Sequence, residues 1–357
     1  MKAVLVLADG TIYYGQGFGA GGRGRGEVVF NTSMVGYQEL FSNPCYYGQI
    51  VLMTYPLIGN YGVSQEAMEH FCPVVSGVVV REISTTPSNW RSEGLLGDHL
   101  AEFGVVGIAG IDTRALTRRL RTFGTIEGLI STEPQDVAEP QRLLEELTDA
   151  NCGRRTDQPV STLEPYQLAG SGPRLVVIDL GVRQSLLRTL RQLGYDLVVV
   201  PAETTREQIQ QWQPSGVIIS GGPGDPTGYQ QTTQTVKELL GGVPVFGIGL
   251  GHQVLALAMG ARTEKMKFGH RGGNYPVRDL RTNRVYITSQ HHGYVVNEKS
   301  LVGTDVLVTH RNLNDRTVEG IRHSYLPAVG RQYHPEGLVD AGGKLFFTEL
   351  NGNFSLT

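Results

Sequence analysis

The stretch Val243-Pro244-Val245-Phe246-Gly247-Ile248-Gly249-Leu250-Gly251-His252-Gln253, with the apolar run after it, decides the fold. Residues 243–248 form a short apolar run, as expected of a strand buried on both faces. Three alternating glycines then bend the chain sharply, and residues 254–259 resume with helical spacing. The same unit of strand, turn and helix recurs upstream. Residues 175–178, 197–200 and 217–220 read as strands, and 182–193 and 232–240 as helices. Such alternation predicts a doubly wound, mostly parallel sheet. Residues 285–288, 306–309 and 318–321 read as strands with no helix between them, which predicts antiparallel pairing.

The first part of the chain has a different texture. Strand-like runs at 3–7, 28–30, 49–54 and 74–80 come first, punctuated by Asp9-Gly10, Asn43-Pro44 and Gly59-Asn60. Helical patterns follow at 96–103 and 114–121, an order that predicts an α+β domain. Residues 151–172 are rich in Pro, Gly, Ser and Thr without sustained periodicity and read as a linker. The expected organisation is therefore an α+β domain over 1–150, a linker over 151–172, and a doubly wound α/β domain over 173–357.

Composition narrows the function. The chain of 357 residues carries a net charge of −3, so no basic surplus exists to neutralise a nucleic-acid backbone. No apolar run approaches the roughly 18 residues a membrane span needs, and the first apolar run is too short for a signal sequence. Cys45, Cys72 and Cys152 are scattered and odd in number, with no zinc or disulfide spacing. They read as small buried or half-buried residues, and the expected setting is the reducing cytoplasm.

Ligand chemistry in an open α/β sheet belongs beyond the carboxyl ends of its strands. Two glycine loops, Ser220-Gly221-Gly222-Pro223-Gly224-Asp225-Pro226 and 247–253, follow apolar strands and should line one crevice there. The second loop has the form of a nucleophile elbow, whose central residue is thrown into the pocket while the next helix aims its N–H groups at an oxyanion. Its central residue is Gly249, which cannot attack anything. A plain tight turn or a phosphate loop lacking the Lys-Ser/Thr pair fits the same glycines. His334-Pro335-Glu336 could supply a base and its orienting carboxylate, or be surface residues. His252 suits a packed structural role. His291 and His292 do not suit a metal pair, because neighbours on a strand point to opposite faces. Asp112-Thr113 reads as a helix cap, with Arg114, Arg118, Arg119 and Arg121 on the helix surface; a basic stripe facing a partner is the alternative.

The chain resembles the small, glutamine-hydrolysing subunit family of carbamoyl-phosphate synthase along almost its whole length. The N-terminal stretches that carry the likeness are 26–34, Gly36-Tyr37-Gln38-Glu39, 54–60 and Gly110-Ile111-Asp112-Thr113-Arg114. The C-terminal ones are Gly222-Pro223-Gly224-Asp225-Pro226, Gly251-His252-Gln253, 265–270, Gly272-Gly273-Asn274 and His334-Pro335-Glu336, shared with class I glutamine amidotransferases generally. The resemblance implies a Cys that attacks the glutamine amide, and ammonia that travels through a tunnel to a large synthetase subunit. That partner uses ATP, with a divalent metal, and bicarbonate to make carbamoyl phosphate for arginine and pyrimidine synthesis; no cofactor is implied for this chain. By position, His334 matches the catalytic His and Glu336 its carboxylate. Gly222 and Leu250 match the oxyanion-hole positions. Gly224, Gln253, Gly293 and Tyr294, with Gly222 and Leu250, match glutamine-binding positions, as do Cys45 and His291.

Five departures accompany these matches. Gly249 stands where the resemblance implies the nucleophilic Cys, His291 where it implies Asn, Cys45 where it implies Ser, and Gly221 where it implies Asn. Gly337-Leu338-Val339-Asp340 replaces the usual tail after the His-Pro-Glu motif. Lost or reduced glutaminase with a retained synthetase partner is the expectation. The alternatives are a scaffold or binding pseudo-enzyme, and a re-purposed pocket using Cys45 as nucleophile with His291 or His334 as base.

Overall fold

The computed structural model describes residues 1–148 and 160–337. The chain divides into two compact units, Met1–Gln158 and Pro159–Thr357. Cys152 and the segment 338–340 lie outside the described residues.

The first unit is built on a closed barrel. Its strands run in the order Lys2–Leu7, Ile12–Gly19, Val106–Ala109, Gly77–Val79, Ile50–Met53, Arg23–Asn31 and Ile126–Ser131. The first two form a hairpin across Asp9-Gly10, where Gly10 takes φ 87°. Strands Arg23–Asn31, Ile50–Met53, Gly77–Val79 and Val106–Ala109 pair in parallel. Closure was not legible, because strand Ile12–Gly19 carries Gly15, Gly17 and Gly19 and gives no apolar alternation. Its glycines answer a packing need: a β-carbon on Gly15 would sit 2.3 Å from the Ala109 carbonyl oxygen. Helix Thr113–Phe123 is capped by Asp112, whose Oδ1 accepts the Ala115 N–H at 2.9 Å. Arg114, Arg118 and Arg121 are exposed on it, and Arg119 pairs with Asp9 at 2.6 Å.

Among the described residues the second unit is built on a ten-stranded sheet. Strands Asp196–Pro201, Arg174–Asp179, Gly216–Ile219, Val245–Ile248 and Ala328–Arg331 are parallel neighbours in that order. Both faces are buried, so their residues read as continuous apolar runs. On one face Leu175 and Val177 pack with Leu186, Leu187 and Leu190 of helix Gln184–Gln192. On the other, Val176 and Ile178 pack with Val236 and Leu239 of helix Gln230–Leu239 and with Val254 and Leu255 of helix Leu250–Ala258. Burying each such side chain contributes roughly 1.5–3 kcal/mol. Beyond Ala328–Arg331 the sheet continues antiparallel through Val318–His323, Val306–Asn312, Thr263–Asp279 and Val285–Val296.

The linker expectation needs one change. Tyr166–Leu168, inside that segment, is the sheet's edge strand and pairs antiparallel with Asp196–Pro201. Three residues are too few to show a period. The register is held instead by Gln167, whose Nε2 donates to Asp196 Oδ1 at 2.9 Å. Among the described residues no helix is long and apolar enough to cross a membrane.

Candidate active site

Three adjacent parallel strands, Gly216–Ile219, Val245–Ile248 and Ala328–Arg331, deliver Gly222, Gly249 and His334 to the same carboxyl edge. Gly249 sits at the tip of the elbow with φ 58° and ψ −115°, and its N–H donates to the Arg331 carbonyl at 2.9 Å. The flanking glycines are compelled by packing. A β-carbon on Gly247 would lie 2.4 Å from the Gly251 carbonyl oxygen, and one on Gly251 would lie 2.1 Å from that of Ile219. Gly249 is different. A β-carbon there would meet Gly221 Cα at 3.5 Å, Gln332 O at 3.9 Å and His334 Cε1 at 4.0 Å, all ordinary contacts. The elbow therefore keeps its strained backbone and the room for a side chain facing His334.

Leu250 opens the nine-residue helix Leu250–Ala258, where the first N–H groups lack intrahelical partners and the helix dipole favours negative charge. Gly222 is packed against Leu180, with space for no β-carbon, since one would fall 2.0 Å from the Leu180 carbonyl oxygen. Gly224 takes φ 88° and faces open space.

His334 is buried and its backbone N–H donates to the Ser289 carbonyl at 3.2 Å. Its Nδ1 lies 3.1 Å from Glu336 Oε1, and Arg183 Nη1 lies 3.4 Å from the same oxygen. Burial pushes the Glu336 carboxyl up, but the charge and hydrogen bond of His334 and the charge of Arg183 outweigh it and hold it down at about 2. Glu336 is thus an anion held against His334 Nδ1, the arrangement that orients an imidazole. Sequence reasoning missed Arg183. It follows strand Arg174–Asp179 at the carboxyl edge where ligand chemistry is expected, and that position was the available signal.

His291 and His292 lie in strand Val285–Val296 and serve opposite faces. The His291 ring is 5.4 Å from that of His334, and its Nε2 is 3.1 Å from Ser289 Oγ. Burial first, then the positive charges of His334 and Arg183, hold it well below the ordinary histidine range. His292 turns to a buried polar group. Its Nδ1 lies 2.8 Å from the Tyr294 carbonyl, and its ligand atoms fall within 4.8 Å of those of His270 and Glu319. These donors are engaged in hydrogen bonds: His270 with Gln290 Oε1 and Asp315 Oδ2, both at 2.8 Å, and Glu319 with Asn312 at 3.0 Å. Gln253 ties the elbow helix to this strand, its Nε2 donating to Tyr294 O at 2.6 Å and to Gln332 Oε1 at 2.9 Å. Gly293 lies against the Arg271 guanidinium, 3.1 Å from a β-carbon built there. His252 is fully buried in the elbow helix, and burial pushes it down to about 3, as suits a packing role.

Cys45 belongs to the first unit. It lies in the short turn Pro44–Tyr46 and is buried in an apolar cluster with Tyr37, Phe41 and Tyr46. Cys72 Sγ lies 3.8 Å from His70 Nδ1 in the same unit.

A glycine elbow at the carboxyl edge of a doubly wound sheet, facing a buried His–Glu pair, defines an amidotransferase-type domain. Residues 176–350 match the class-I glutamine amidotransferase family, and residues 5–130 match the CPSase domain of the carbamoyl-phosphate synthase small chain. The carbamoyl phosphate synthase small chain of Bacillus caldolyticus is 50% identical over 339 residues, covering 94% of this chain and 92% of that protein. The carbamoyl phosphate synthase pyrimidine-specific small chain of Halalkalibacterium halodurans is 46% identical over 336 residues, covering 94% and 92%. A glutamine amidotransferase of known structure from Thermotoga maritima aligns with 51% of this chain and 85% of its own, at 20% identity and a TM-score of 0.38. The chain belongs to the carbamoyl-phosphate synthase small chain family.

Proposed function

We propose that this chain is the small subunit of a carbamoyl-phosphate synthase whose glutaminase step is impaired, and that it docks a large synthetase subunit which works from free ammonia. ATP, its divalent metal and bicarbonate belong to that partner, and the product serves arginine or pyrimidine synthesis in the cytoplasm. The observation that carries this reading is the elbow. Gly249 keeps φ 58° and faces His334, yet offers no atom to attack an amide. His334 with Glu336 retains the means to move a proton, and Leu250 and Gly222 stand where backbone N–H groups could hold an oxyanion. A base without a nucleophile forgoes the covalent route. General base action and covalent catalysis together commonly supply several kcal/mol, at about 1.4 kcal/mol per tenfold in rate.

The test pairs two assays on the purified complex with a large subunit. Carbamoyl phosphate formation is measured with ammonium and then with glutamine as the nitrogen source. Synthesis from ammonium, with glutamine-dependent synthesis lower by several orders of magnitude, is the expected result. Equal rates from both sources would overturn the reading, as would failure to bind a large subunit.

A further inference from the structure

The elbow is empty, but a hydroxyl stands close to its base. Ser289 and His291 alternate along strand Val285–Val296 with the buried Thr288, Gln290 and His292, so the two share the strand's other, partly open face. Ser289 Oγ lies 3.1 Å from His291 Nε2. The Ser289 carbonyl accepts the His334 backbone N–H at 3.2 Å, and the rings of His291 and His334 are 5.4 Å apart. A serine hydrogen-bonded to an imidazole therefore sits directly beside the His334–Glu336 pair. With its other proton on Nδ1 the ring can accept the hydroxyl proton at Nε2, while burial and the positive charges of His334 and Arg183 oppose the imidazolium that results. Nucleophile and base within hydrogen-bond reach are the signature of an activated hydroxyl.

We propose that Ser289 is the nucleophile for whatever glutamine turnover this chain retains, with His291 as its general base. The proposal rests on the reading that this pocket takes glutamine. Ser289 Oγ would bond to the side-chain amide carbon while its proton passes to His291 Nε2. The C–N bond then breaks, and the nitrogen takes that proton and leaves as ammonia. Water adds to the resulting ester, giving a proton to His291. The ester C–O bond breaks, the proton returns to Ser289 Oγ, and glutamate is released. Glutamine and water become glutamate and ammonia, with no other reactant. A serine off the elbow tip, served by a single imidazole whose protonation burial opposes, predicts slow turnover, in keeping with an impaired enzyme.

The full chain, bound to a large subunit, is treated with a diazoketone analogue of glutamine and digested for mass spectrometry. Turnover of glutamine is measured in parallel for the parent, Ser289→Ala and Ser289→Cys. Expected are an adduct on the peptide holding Ser289, its loss in Ser289→Ala, and a fall in turnover of about tenfold or more. Ser289→Cys should raise both labelling and turnover, because a thiol is the better nucleophile at neutral pH, whereas a packing role would predict no gain. An adduct on another residue, or turnover unchanged in Ser289→Ala, overturns the proposal. So does a parent with neither adduct nor turnover. Ammonium-dependent synthesis by the same samples reports separately on the subunit's proposed function, which survives any of those failures.

Discussion

His334 Cε1 lies 4.0 Å from the point where a β-carbon on Gly249 would sit, and among the described residues beyond its chain neighbours no atom stands closer than 3.5 Å to that point. The vacancy at the elbow is chemical and not steric. Gly249→Ala should therefore cost only the strain of a non-glycine residue at φ 58° and ψ −115°, about 1–3 kcal/mol. Gly251→Ala should cost clearly more, since its β-carbon would lie 2.1 Å from the Ile219 carbonyl oxygen and the backbone would have to move. Urea unfolding of the two variants checks the order. Equal losses would mean that the elbow backbone does not have this geometry.

Glu336 links stability to acid. Its carboxyl is held at about 2 in the folded chain against an ordinary 4.5, so the stabilisation is complete above about 4.5 and is lost as pH falls toward 2. Glu336→Gln should be less stable than the parent at pH 7 and lose less on acidification, so that the two curves converge near pH 2. Denaturant midpoints across that range decide it. Parallel curves would mean that Glu336 has no charged partner in solution.

The strand and helix alternation of residues 174–258 was legible because each parallel strand is buried on both faces and each helix on one. The barrel was not. Its glycine-rich strand Ile12–Gly19 is shaped by backbone approach, which hydrophobic periodicity does not record. At the site, Gly249, His334 and Gly222 could be named because each follows an apolar strand. Arg183 and Ser289 could not, because Arg183 joins the site through a long side chain and Ser289 through a backbone hydrogen bond from His334, 45 residues away. The opposite facing of His291 and His292 was readable from the period of a strand, but the His270–Glu319 network that receives His292 spans too much sequence to show in any local pattern.

His270 links stability to alkali. Burial pushes its imidazole down, but hydrogen bonds and charges from Asp315 and Glu319 outweigh that and raise it to about 9, against an ordinary 6.5. The stabilisation is complete below about 6.5 and is lost as pH rises through 9. His270→Gln should flatten the decline in stability between pH 6.5 and 9. It should also destabilise the chain at pH 6, by roughly 3–5 kcal/mol, since it leaves Glu319 buried without its cation. Thermal unfolding at stepped pH measures both effects. A variant as pH-sensitive as the parent would place the titrating group elsewhere.

Gly249→Cys tests how much of the lost chemistry is the thiol alone. A Cys there would aim its sulfur toward His334, which Glu336 already orients, so ammonia release from glutamine should rise well above the parent's. Full recovery is not expected. The His291 ring stays 5.4 Å from that of His334, and a bulky ring beside the pair restricts how an amide can be placed for attack. His291→Asn replaces that ring with a shorter amide. The double variant Gly249→Cys with His291→Asn should therefore exceed Gly249→Cys alone, by about 10- to 100-fold through substrate placement. His291→Asn by itself should bring no gain, because the elbow still lacks a nucleophile. Ammonia release from the four chains, each bound to a large subunit, separates the cases. Equal rates for the single and double elbow variants would mean that His291 leaves the site's geometry and charge unchanged, and that Gly249 alone accounts for the loss.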